Sequence, residues 1–157
     1  MSNVGSNLDN LYREIILDHY RSPRNRGELD APPAIRVEGF NPLCGDEIAV
    51  FLDVEDGVLK DIKMIGSGCS ISQSSASLMS AAVKGKSLDQ VREIIATFKQ
   101  LMTVREATLA HNGEEPVVDL RALGELAALQ GVIKFPVRIK CATLAWNTLV
   151  QGLDELV

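Results

Sequence analysis

"EIAVFLDVEDGVLKDIKMI" (residues 47–65) reads as a β-hairpin and decides which folds are open to this chain. Ile48, Val50, Leu52 and Val54 alternate on one face of the first arm, the period of a half-buried strand. Asp56-Gly57 then interrupts the pattern. A two-residue type I′ turn needs positive φ at both central positions, and Asp-Gly supplies it. Upstream, "IRVEGF" (35–40) reads as a third strand, so the predicted strands are 35–40, 47–54 and 58–65.

Working outward, helical periodicity takes over on both sides. Leu8, Leu11, Tyr12, Ile15, Ile16, His19 and Tyr20 fall at helical spacing, with Ser6 and Asp9 resembling a capping box and Pro23 and Gly27 stopping the helix. His19 lies on the apolar stripe and reads as a hydrogen-bonded core residue. Downstream, Ile71, Ser75, Leu78, Met79, Ala82 and Val83 mark a helix that ends at Gly85. Ser87 and Gln90 cap the next, which carries Leu88, Val91, Ile94, Ile95, Phe98, Leu101 and Met102. The serines of "SISQSSAS" read as small residues that allow close helix packing. Periodicity is lost over residues 103–116, which read as a mobile surface insertion. A short helix is expected around Leu120, Leu123 and Leu126. The last helix starts near Pro136 and lines up Cys141, Leu144, Ala145, Thr148, Leu149 and Leu153.

The two ends of the hairpin carry the chemistry. In "NPLCGDEIAV" (41–50) a thiol, Cys44, stands two residues before a carboxylate, Asp46, and "GSGCS" places Cys69 beyond the other arm. With Asp56-Gly57 as the turn, the pairing projects Cys44 opposite Cys69, although Gly66 and Gly68 allow the chain to bend between them. Cys69 opens a helix, where free N–H groups and the helix dipole favour a thiolate. Cys141 completes a four-point site if the last helix packs across the open end of the hairpin.

These residues leave several readings open. Cys141 also reads as a small apolar filler, Cys44 and Cys69 as a disulfide, and Asp46 as a solvated turn residue. His111 reads as an exposed loop residue. Lys140 either lays its stem along the helix or offsets the negative charge of a thiolate-rich metal shell. A cysteine phosphatase is excluded, because position 75, six after Cys69, is serine rather than arginine. "GSG" lacks the spacing and lysine of a phosphate-binding P-loop.

The 157 residues suffice for one domain with one good core, here taken as 1–157. The 21 acidic and 16 basic residues, net charge −5, are mixed along the chain, which argues against a nucleic-acid partner. No apolar run approaches a membrane span, and "MSNVGSNLDN" lacks the features of a signal peptide. Three cysteines are too few for a secreted disulfide framework. The expected location is therefore cytoplasmic, with no membrane partner.

"YREIILDHYRSPRNRG", "NPLCGDEI", "GSGCSISQSSASLM" and "FPVRIKCATLAWNTL", in this order, resemble the U-type iron-sulfur cluster assembly proteins, the family of IscU and the N-terminal part of NifU. The resemblance covers essentially the whole chain. It implies an α+β fold, a small three-stranded antiparallel sheet packed by about five to six helices, with a metal site at one end. It also implies the ligand set Cys44, Asp46, Cys69 and Cys141. Departures from IscU point to the SufU branch: Lys140 stands where IscU proteins have histidine, "FPVRI" replaces their proline-pair motif, and the resemblance marks residues around 103–131 as an insertion that IscU proteins lack. That branch implies zinc as cofactor and a SufS-type cysteine desulfurase and the Suf assembly scaffold complex as partners. The activity implied is sulfur transfer rather than stand-alone catalysis. Cys44 is the expected acceptor, since a loop thiol swings out more easily than one in a packed helix. The alternative is a scaffold that holds iron or a [2Fe-2S] cluster transiently.

Overall fold

In the computed structural model, residues 4–42, 45–103 and 124–156 are described. The elements run α1 (Val4–Arg21), β1 (Ile35–Asn41), β2 (Asp46–Glu55), β3 (Val58–Ser67), α2 (Ser70–Val83), α3 (Leu88–Met102), a 3-10 helix (Gly124–Lys134) and α4 (Pro136–Glu155). The three predicted strands form one antiparallel sheet in the order β1-β2-β3, and the α+β architecture is the expected one. α1 begins at Val4, so Ser6 lies inside the helix rather than at its cap. His111, Leu120 and Leu123 lie outside the described residues.

Asp56 (φ 54°) and Gly57 (φ 74°) make the positive-φ turn that the hairpin needs. Close to the turn, Glu55 pairs with Val58 and Val54 with Leu59; further out, Asp53 pairs with Asp61 and Glu47 with Ser67. Lys60 is thus an extra residue on β3, and this bulge moves the register by one. The sequence projection of Cys44 opposite Cys69 assumed unbroken pairing and is corrected here. Continued outward, the observed register sets Asp46 opposite position 68.

One face of the sheet carries the main core. Val37, Ile48, Val50, Leu52, Ile62 and Met64 are all buried there, and α4 and α2 lie over them. The other face is not wholly wet: Ala49 and Phe51 are buried, and the Arg36 guanidinium sits 5.7 Å from the Phe51 ring centre. The outer edge of β3 is covered by the loop after α1. Met64 N–H donates to Asn25 O at 3.0 Å, and Gly27 N–H donates to Met64 O at 2.9 Å.

The helices lock through one aromatic pair and a row of serines. Phe98 of α3 and Trp146 of α4 are fully buried and stack with ring centres 4.1 Å apart. Trp146 Nε1–H donates to Ser75 Oγ at 3.0 Å, and Ser75 Oγ–H donates to Ala142 O at 2.5 Å. Ser74 reaches Ile16 O on α1. The α2 serines therefore act as polar connectors between helices, beyond the small-residue packing expected of them. The Ser87-Gln90 capping box opens α3 as the sequence indicates. Residues 124–131, the end of the expected insertion, bury Leu126 and Leu129 in the core.

His19 is the buried strut its stripe position suggested. Arg24 N–H donates to Ser77 Oγ at 2.8 Å, and the same hydroxyl is hydrogen-bonded to His19 Nδ1 at 2.7 Å. His19 Nε2 lies 3.0 Å from Glu125 Oε2. One imidazole thus ties α1 to α2 and to the 3-10 helix.

Candidate metal centre

The open end of the hairpin, the start of α2 and the first turns of α4 converge at one point. Asp46, the first residue of β2, faces the helices and is completely buried. Its Oδ1 accepts the Cys69 N–H at 3.0 Å. Cys69 is the N-cap of α2, with extended φ/ψ of −72°/170°, and its Sγ accepts the Ser72 N–H at 3.5 Å. The expectation that Cys69 opens a helix holds. Cys141 lies early in α4 at 2 % exposure, with Asn41 Nδ2 and Val137 O each 3.8 Å from its Sγ.

One carboxylate oxygen of Asp46 and the Sγ atoms of Cys69 and Cys141 all lie within 4.8 Å of one another. Three of the four expected ligands, Cys141 among them, are therefore brought together. The fourth, Cys44, lies outside the described residues. The described residues on either side, Asn41 and Gly45, are joined by a Gly45 N–H to Asn41 O bond of 2.8 Å.

The donor set suits a thiolate-binding cation. Asp46 Oδ2 is buried and has no hydrogen-bond partner among the described residues. Burying a carboxylate oxygen is costly unless a proton donor or a cation compensates it. Donors around a tetrahedral zinc, with bonds of ~2.3 Å to sulfur and ~2.0–2.2 Å to oxygen, stand ~3.3–3.8 Å apart, compatible with three atoms that all lie within 4.8 Å of one another. Space for the carboxylate depends on Gly68, since a Cβ there would collide with the Asp46 side chain. Lys140 next to Cys141 is exposed.

Two contributors escaped the sequence reading. Gly68 was read as a point where the chain can bend, whereas its missing side chain makes room for Asp46. Asn41 was passed over; the structure pairs it with Asp46 across the β1–β2 ladder, a register that no turn signal in the sequence sets.

A three-stranded sheet covered by helices, with a buried Cys/Asp cluster where two helices meet the hairpin end, defines the U-type class of iron-sulfur assembly domain. The chain belongs to that family: residues 11–142 match the sequence profile described as the NifU-like N terminal domain. Among its relatives, the zinc-dependent sulfurtransferase SufU of Bacillus subtilis is 43% identical over 150 residues, covering 96% of this chain and 94% of the relative. The iron-sulfur cluster assembly scaffold protein IscU of Thermotoga maritima is 39% identical over 146 residues, covering 93% of this chain and 94% of the relative. A crystal structure described as a candidate iron-sulfur cluster assembly scaffold protein for the SUF system, from Fervidobacterium islandicum, superposes with a TM-score of 0.76 at 29% identity, covering 89% of this chain and 94% of the other. No helix among the described residues is long and apolar enough to cross a membrane.

Proposed function

We propose that this chain is a zinc-dependent sulfur carrier: it accepts sulfur from a SufS-type cysteine desulfurase and passes it to the Suf assembly scaffold complex. The observation that carries this reading is the buried, uncompensated Oδ2 of Asp46 beside the sulfurs of Cys69 and Cys141. Asp46, Cys69 and Cys141, with Cys44 from the adjoining loop, would hold the metal. When bound, zinc supplies a redox-inert cation that keeps its cysteine ligands deprotonated and protected from oxidation. The likeness to a relative named as a zinc-dependent sulfurtransferase supports zinc. A carboxylate among thiolates is the harder, less well matched donor, which suits a shell that must rearrange without coming apart.

The transfer step needs a thiolate and a persulfide. The acceptor thiolate attacks the terminal sulfur of the desulfurase's cysteine persulfide, and a new S–S bond forms on the acceptor. The old S–S bond breaks, and its electron pair leaves with the desulfurase cysteine as a thiolate. The terminal sulfur keeps its proton, so no outside oxidant or reductant enters. Cys44 is the acceptor in this reading. Cys69 is fixed as a helix cap and Cys141 is packed in α4, whereas Cys44 belongs to the short segment between two strand ends.

The test combines metal analysis with one substitution. Protein purified without added metal should hold about one zinc per chain; iron with labile sulfide would favour the scaffold function instead. Cys44→Ser should abolish both stimulation of the desulfurase and persulfide formation on this chain. A fully active, persulfidated Cys44→Ser protein would remove Cys44 from the acceptor role.

A further inference from the structure

Resting on the sulfur-carrier reading, we propose that Asn41 is a positioning residue that holds Cys141 in the metal shell as its anchor, so that sulfur is accepted by another thiol. Asn41 ends β1, pairs with Asp46 across the ladder and is 6% exposed. Its side-chain Nδ2–H points at Cys141 Sγ over 3.8 Å. Its backbone carbonyl accepts the Gly45 N–H at 2.8 Å and so closes the stem of the loop that contains Cys44. A single residue thus ties that loop stem to the helix bearing the third cysteine.

The amide is suited to this place by its chemistry. It offers a neutral N–H to sulfur, where aspartate would offer only acceptors and leucine, similar in shape, nothing polar. An N–H aimed at a thiolate draws charge from the sulfur and makes it a weaker nucleophile, and it fixes the orientation of the sulfur within the shell. Cys69 receives the corresponding donation from Ser72 N–H, but that donor belongs to the helix backbone. Changing Asn41 therefore removes a side-chain donor from Cys141 while the donor to Cys69 stays as it is.

The experiment uses the full chain and its Asn41→Leu variant. In reduced, metal-free protein, at a pH where thiols are ionised, alkylation by iodoacetamide is followed at each cysteine by peptide mapping. The variant should react about fivefold faster at Cys141, the ratio expected for one lost hydrogen bond, with no change at Cys69. In cobalt-substituted protein the sulfur-to-cobalt charge-transfer band should move to longer wavelength, a change that looser packing alone does not produce. Should Asn41→Leu fail to fold, Asn41→Ala is measured in the same two ways. Unchanged rates and an unmoved band, or an equal acceleration at Cys69 and Cys141, would overturn the proposal. Both readouts are taken without a desulfurase. If wild-type protein mixed with the charged desulfurase shows no persulfide on any cysteine, the carrier reading fails while the Asn41 result still stands on its own.

Discussion

At the scale of single residues the site depends on what is missing as much as on what binds. Gly68 lacks a Cβ where the Asp46 carboxylate must lie, and the Cys69 N–H then orients that carboxylate through Oδ1, leaving Oδ2 for a cation. Gly68→Ala should therefore push Asp46 aside and weaken zinc binding about 10- to 100-fold, the range seen when groups that orient metal ligands are lost. Competition with a zinc chelator measures this, and circular dichroism should show an unchanged fold. Equal zinc affinity in the two proteins would mean that Asp46 is not a ligand. The residue types at the site were legible in the sequence because soft and hard donors stand out at fixed spacing. The role of Gly68 was not, since an absent side chain leaves no mark until its neighbours are placed.

At the scale of elements, the helix and strand periodicities carried through, and so did the Asp-Gly turn and the Ser87-Gln90 capping box. The register did not, because the Lys60 bulge breaks pairing within a stretch whose alternation looks regular. The serines of α2 were under-read for a related reason: a small polar residue looks the same in sequence whether it fills space or makes a bond. Ser75 separates the two cases, since it accepts from the buried Trp146 indole and donates to Ala142 O. If it served only as a small residue, Ser75→Ala would gain up to about 0.5 kcal/mol of helix propensity. The bonds predict the opposite sign, a loss of ~1–3 kcal/mol from stranding the indole N–H, measured by urea denaturation.

For the whole molecule, the core does not rely on the metal. Phe98, Trp146, Leu52, Ile62 and Leu149 are all buried and none belongs to the ligand cluster, so chelation should leave the chain folded. A ligand held at about 100 times its Kd stabilises by ~2.7 kcal/mol, so removing zinc should lower Tm by roughly 5–10 °C in a domain of this size. Scanning calorimetry with and without chelator checks this, and complete unfolding on chelation would instead make the metal a structural staple. By itself the sequence determined the alternation of the strands, their turn, the helix faces, and the presence of three thiols and a carboxylate near element ends. These are local properties, written in side-chain chemistry at short range. Only the tertiary structure decided that α4 crosses the hairpin's open end, that Asp46 takes the Cys69 N–H, and that Asn41 reaches Cys141. Such contacts join residues up to a hundred positions apart, and their geometry turns on a one-residue bulge and on the packing of α4 against the sheet, which no local pattern encodes.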